Sequence, residues 1–213
     1  MRHRFSTLAA LAMAMPVVSM PVWADDKPLF QPSRDVMVEY KASGMAQGPM
    51  AGGDGTLKIW FANNGRRMRI EPPNGQGAMI MDTEAGNMTV IMIAQRMYMD
   101  MPGQKSMVPM LDATNATFKK TGTDTVAGTP CTIYDTSNND RHGEVCLTED
   151  GVLLRGKGGD SGSRQTLEAV KVTYGSHAAG LFEPPADFLK MEMPVMPGGM
   201  PPGGMPPGRP PGR

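Results

Sequence analysis

Cysteine, histidine and net charge are all scarce in this chain of 213 residues. It has 2 Cys and 3 His, and its 21 basic residues balance 21 acidic ones, so the formal net charge is zero. A chain without excess positive charge is not a strongly basic nucleic-acid binder, and this one carries no polyacidic tail. We therefore expect no nucleic-acid partner. After residue 24, no apolar run approaches the about 20 residues that a membrane-spanning helix needs, so no transmembrane segment is expected in the mature chain.

The first 24 residues have the pattern of a secretory signal peptide. Arg2 and Arg4 give a positive start, an apolar stretch follows, and Val22-Trp23-Ala24 has the small residues of a cleavage site. We expect cleavage after Ala24. The predicted destination is the periplasm, with secretion from the cell as the alternative.

The only two cysteines, Cys131 and Cys146, both follow the predicted cleavage site. Exported chains fold in an oxidising compartment, so a disulfide between them is expected. Both lie in segments with the alternation of strands. Direct pairing of Cys131 with Cys146 sets Ile133 opposite Glu144 and clips a hairpin around a polar loop, 136–143. The redox alternative lacks the C-x-x-C spacing.

Short segments of alternating apolar and polar residues recur from residue 35 to 175. Turn-forming clusters separate them, such as 63–65, and Asp150-Gly151 is a hairpin signal. One short helix is expected near residues 105–113. The fold class is therefore predicted to be mainly β, a curved antiparallel sheet with one or few short helices.

Four regions follow from these patterns: a signal peptide (1–24), an N-terminal extension (25–34), an antiparallel β domain (35–190) and a C-terminal tail (191–213). The tail is rich in Pro, Gly and Met and has no periodic apolar face. We expect it to be disordered, with polyproline-II character. Because thioethers are soft ligands, it is also a candidate Cu(I) site through Met191, Met193, Met196, Met200 and Met205.

Methionine is the abundant apolar residue, with 22 in the chain. The middle of the chain is densest, and two predicted hairpin turns set Met81 opposite Val90, Met79 opposite Met92, and Met92 beside Met97. Side chains alternate across a strand, so eight residues are predicted to share one face: Met79, Met81, Met88, Val90, Met92, Met97, Met99 and Met101. Three interpretations stay open for this Met face: ordinary core, a cavity for an apolar ligand, or a Cu(I) site.

Two segments resemble catalytic or metal sites. Ser161 lies in a Gly/Ser-rich segment similar to the nucleophile segment of chymotrypsin-like proteases, but no histidine base is suitably placed upstream. Asp140, His142 and Glu144 alternate and could hold a divalent metal, but a polar hairpin loop is the favoured interpretation. We expect no catalytic residue, no cofactor and no enzymatic activity.

Three segments carry a resemblance to a known family: GTDTVAGTPCTIY at 122–134, VCLTEDGVLLR at 145–155 and LFEPPADF at 181–188. The chain resembles a family of exported bacterial proteins of unknown function, with a fold similar to the periplasmic lipoprotein carriers (the LolA/LolB-like half-barrel). The resemblance covers residues 35–191 and implies a curved sheet whose concave apolar face takes up acyl chains in the carriers.

The function expected from these observations is binding rather than catalysis. The first hypothesis is a soluble periplasmic protein that holds an apolar or lipid-like ligand on the Met face. The alternatives are a Cu(I)-binding protein that uses the tail methionines, and an envelope scaffold that docks a protein partner through the Pro-rich tail.

Overall fold

A computed structural model of the protein describes residues 27–44, 55–73, 75–103, 116–138, 141–158 and 165–192. In these residues the chain forms one open, curved sheet of twelve strands and a single 3₁₀ turn, Ala179–Phe182. The strands are β1 (Val36–Ser43), β2 (Gly55–Ala62), β3 (Arg67–Glu71), β4 (Gly77–Asp82), β5 (Asn87–Met92), β6 (Met97–Met101), β7 (Thr117–Val126), β8 (Thr129–Asn138), β9 (Arg141–Leu147), β10 (Leu153–Gly158), β11 (Gln165–Tyr174) and β12 (Leu189–Lys190).

The strands lie in the order β12-β6-β5-β4-β3-β2-β1-β11-β10-β9-β8-β7. Neighbours pair antiparallel except at one edge, where β12 runs parallel to β6. The mainly β fold class is thus confirmed. The predicted helix at 105–113 and the signal peptide lie outside the described residues. Within the described part, no helix is long and apolar enough to cross a membrane.

Alternation along the strands builds the core, as the sequence pattern predicts. On β1 the side chains of Val36, Val38 and Tyr40 are buried, whereas the intervening residues are partly exposed. Pairing carries this face through Ile59 of β2 and Ile70 of β3. The Tyr40 hydroxyl is buried and donates a hydrogen bond of 2.7 Å to the Leu153 carbonyl, so its polar group is satisfied inside the core.

The opposite, outer face of β2–β6 is buried at its centre, whereas Asp82 and Asp100 on the same face are exposed. Ile80 and Ile91 are only 6% and 2% exposed and pack in a second cluster with Phe182. The cover is the segment that follows β11, residues 177–192, which we call the C-terminal strap. Alternation on β4 and β5 alone indicated a mixed face, because the covering residues lie about 90 positions further along the chain.

The Cys131–Cys146 disulfide is present, with a Cα–Cα distance of 5.4 Å. Its hairpin register differs from the predicted one: Cys146 lies opposite Ile133, so the two cysteines are diagonal neighbours on one face rather than direct partners. Strands β8 and β9 extend to Asn138 and Arg141. Most of the loop predicted at 136–143 is therefore strand.

Candidate ligand-binding face

The seven methionines and Val90 share one sheet face, as predicted. Three cross-strand rows hold them: Gly77, Met92 and Met97; Met79, Val90 and Met99; Met81, Met88 and Met101. The pairings across the second turn match the prediction. Across the first turn the predicted register is two residues off: Met81 pairs with Met88 rather than Val90, and Met79 pairs with Val90 rather than Met92.

The first turn explains the difference. It spans residues 83–86, one residue earlier than predicted, and ends at Gly86, whose φ of 72° suits glycine. The Asp82 carboxylate accepts hydrogen bonds from the amides of Glu84 and Ala85, at 3.1 and 2.8 Å. An offset of two preserves the face on which each side chain lies, so the predicted Met face survived the wrong register.

Burial divides the Met face into an inner and an outer part. Met79, Met81 and Met88 are 3–6% exposed and belong to the main core. The remaining five side chains are half-buried. We call this group the outer strip: Val90, Met92, Met97, Met99 and Met101. The inner methionines are part of the core, and the outer strip is the less buried part of the Met face.

Beside the outer strip, the C-terminal strap lies along the edge of β6. The Leu189 amide donates to the Arg96 carbonyl at 2.9 Å, and the Met191 amide donates to the Tyr98 carbonyl at 2.7 Å. Leu189 therefore pairs with Met97, and the next position of this parallel register on the same face sets Met191 beside Met99. Sequence analysis placed Met191 in a disordered tail; the structure places it at the Met face.

Ion pairs on the outer face hold the strap against the edge of β6. Lys190 and Asp100 form an ion pair of 2.9 Å, and the Thr89 hydroxyl donates to Asp100 at 2.7 Å. The Thr89 hydrogen bond, followed by that from Lys190, lowers the pKa of Asp100. Arg96, just before β6, forms a second ion pair with Asp187, which precedes β12 in the strap. These groups lie opposite the thioethers, so the Met face itself stays uncharged.

The first part of the strap, around Leu181 and Phe182, packs on the outer face of the sheet. Phe182 is 6% exposed, with the Arg67 guanidinium over its ring. Arg67 donates to the Phe182 carbonyl at 2.7 Å, and Arg69 donates to the Leu181 carbonyl at 2.9 Å. His177 has its Nε2 3.1 Å from the Phe61 carbonyl oxygen. The alternating arginines of β3, Arg67 and Arg69, were the sequence signal that could have indicated the contact between β3 and the strap.

The other candidate sites are not assembled in the described residues. His142 and Glu144 share one face of β9, whereas Asp140 and Ser161 lie outside the described part, as do the tail methionines Met193, Met196, Met200 and Met205. Within the described ranges no group of three or more His, Cys, Asp or Glu side chains could hold a metal ion.

Solved structures share this fold at low sequence identity. An uncharacterized conserved protein from Thermus thermophilus has a TM-score of 0.51 at 11% identity, and the match covers 75% of this chain and 90% of that one. MucB has a TM-score of 0.50 at 15% identity, over 75% of this chain and 60% of MucB. The chain thus spans less than two thirds of the length of MucB. The Pseudomonas aeruginosa MucA/MucB complex matches with a TM-score of 0.49 at 17% identity, over 79% of this chain and 62% of that chain.

These likenesses concern the fold, and they agree with the half-barrel implied by the resemblance to the lipoprotein carriers. No curated protein sequence matches the chain significantly. The profile of a domain of unknown function, DUF4412, matches residues 47–156, slightly more than half of the chain. The chain therefore belongs to the DUF4412 family of proteins of unknown function.

Proposed function

We propose that this protein is an exported, non-catalytic binding protein that holds an apolar, lipid-like ligand on the outer strip. The observation that carries the proposal is the graded burial of the Met face. Three methionines complete the core, and five further apolar side chains on β5 and β6 continue the same surface while staying half-buried. A continuous apolar surface of this kind marks a place where another apolar molecule gains by leaving water.

Methionine suits this role chemically. Its unbranched side chain has three rotatable bonds and adapts to apolar partners of different shape. Burial of apolar area against it contributes about 25 cal/mol per Å². The aligned charged groups, Lys190 and Asp100, project from the opposite face. The outer strip therefore favours acyl chains over charged molecules.

Two features support export. The first 24 residues have the features of a signal peptide, and the structure pairs its only cysteines in a disulfide. Disulfides persist in oxidising compartments and are rare in the cytosol. A periplasmic location is the simplest explanation of both.

The test is native mass spectrometry of the exported protein together with titration by a fatty acid. Met99→Lys introduces a charge at the centre of the outer strip and should weaken fatty-acid binding by at least about tenfold, which corresponds to about 1.4 kcal/mol. Val170→Lys is the matched control, because Val170 is a strand residue of β11 that is 52% exposed. Equal affinity in both variants, or no fatty-acid binding by the unchanged protein, would refute the proposal.

A further inference from the structure

Four methionines from three chain segments occupy neighbouring positions along the outer strip and the edge of β6. Met92 closes β5, Met97 and Met99 lie on β6, and Met191 follows β12. Met92 and Met97 are direct antiparallel partners, which places their Cβ atoms about 4.5–5.5 Å apart. The Met191 amide donates to the Tyr98 carbonyl, and continuing the β12–β6 register by one residue sets Met191 one strand spacing, about 4.8 Å, from Met99. Flexible methionine side chains can bring their sulfur atoms together over such distances.

The core does not require these four side chains. Val90 and Met101 pack against the main cluster, but neither hydrophobic cluster of the described residues includes Met92, Met97, Met99 or Met191. All four are half-buried. They are shielded from most competing water and remain accessible to a small ion.

The surroundings select for a soft, singly charged ion. In the register of β6 and β12, Leu189 shares the thioether face, whereas Asp100 and Lys190 project from the other face and pair with each other. Zn²⁺ and Mg²⁺ prefer thiolate, imidazole or oxygen ligands, whereas thioethers suit Cu(I). Among the residues that the structure describes, this part of the face presents thioethers and no carboxylate.

From this convergence we propose that Met92, Met97, Met99 and Met191 form a Cu(I)-binding site at the edge of the sheet. The site goes beyond the proposed apolar-ligand function, because an apolar ligand requires hydrophobic area and not sulfur. It also gives the strap a role: pairing of β12 with β6 delivers the fourth thioether. Sequence analysis left Cu(I) open for the Met face and for the tail methionines as separate sites, whereas this site joins three residues of the Met face with Met191 of the tail set.

The experiment is titration of the exported protein with Cu(I) under reducing, anaerobic conditions, and with Ag(I) as a redox-inert probe. Binding is followed by the NMR signals of the methionine methyl groups and by competition with a colorimetric Cu(I) chelator. The expected result is one ion per chain with four methyl signals shifted together. Replacing all four methionines by Leu should weaken binding by at least about tenfold, since loss of even an outer-shell partner of a metal ligand costs that much.

Matched variants make the result decisive. Met→Leu substitution conserves volume and is well tolerated, so the fourfold variant should fold, and the fatty-acid titration of the unchanged protein tests the proposed function separately. Met37→Leu, a half-buried methionine on the outer face of β1, should leave Cu(I) binding unchanged. Unchanged affinity in the fourfold variant would overturn the site. So would loss of binding when only Met193, Met196, Met200 and Met205 are replaced by Leu in the full chain.

Discussion

At the scale of single residues, Asp150 joins three parts of the chain. Its carboxylate accepts hydrogen bonds from Thr148 at 2.5 Å, Tyr174 at 3.1 Å and Arg34 at 2.9 Å. The Arg34 guanidinium also lies 4.3 Å from the centre of the Tyr174 ring. The carboxylate thus ties the segment before β1 and the end of β11 to the β9–β10 turn.

This arrangement predicts a pH dependence of stability. Burial alone would raise the pKa of Asp150, but the hydrogen bonds from Thr148, Arg34 and Tyr174 outweigh it and lower the pKa below its ordinary value. A carboxylate with a depressed folded-state pKa stabilises the fold above its unfolded-state pKa, about 3.9, and loses that contribution as pH falls through the folded value. Asp150→Asn should therefore lower the free energy of unfolding at neutral pH by about 1–3 kcal/mol and flatten its acid decline.

Urea unfolding between pH 2 and pH 7 measures this effect. Asp187→Asn serves as the control, since Asp187 and its partner Arg96 are 60% and 65% exposed and exposed pairs contribute little. If the two variants lose the same stability at every pH, Asp150 has no special role.

At the scale of elements, the C-terminal strap is the part of the fold with the smallest strand pairing. β12 has two residues, and the Leu189 and Met191 amides donate to carbonyls of β6 and its preceding turn. Phe182, which packs with Ile80 and Ile91 on the outer face, is the one buried side chain in the described part of the strap. We therefore expect Phe182 to be the main anchor of the strap, alongside the polar contacts described above.

Phe182→Ala should therefore release the strap before it unfolds the sheet. Loss of a buried phenylalanine costs about 3–5 kcal/mol, which exceeds what two edge hydrogen bonds can recover. We expect faster hydrogen exchange at the Leu189 and Met191 amides, with exchange in β1 unchanged. Leu29→Ala, at a residue that is 57% exposed, is the control. Protection of both strap amides in the Phe182 variant would show that the strap is held by other contacts.

At the scale of the whole molecule, the disulfide stabilises the half of the sheet that lies furthest from the Met face. Strands β7 to β10 carry fewer buried side chains than β1 to β4, and Arg155 bridges Asp124 and Glu144 above the cysteines. A disulfide between β8 and β9 therefore reduces the conformational entropy of the unfolded chain in the half of the sheet that buries fewer apolar side chains.

Removal of the disulfide should lower the stability of the fold by a measurable amount. Cys131→Ala with Cys146→Ala should lower the free energy of unfolding by about 3 kcal/mol, the chain-entropy value for a closed loop of this size; the sequence separation is 15 residues. Chemical denaturation of the variant and of the reduced wild-type protein should give the same curve. A variant as stable as the oxidised protein would contradict this role.

Much of this architecture is readable from the chain. Period-two alternation placed β1, β3 and β11, since one buried face demands it. The same alternation put all seven central methionines on one face, and a register error of two residues left that result intact. Two cysteines in a chain with the sequence pattern of a signal peptide sufficed to predict their pairing.

Other features depend on residues far apart in the sequence, and only the tertiary structure decided them. Local patterns could not reveal that Phe182 covers Ile80 and Ile91, because burial of the outer face depends on a segment about 90 residues away. They could not separate core methionines from half-buried ones, since all alternate alike and burial depends on which distant side chains pack over each one. Nor could they place Met191 next to β6, because that position depends on backbone hydrogen bonds between the strap and the edge of β6.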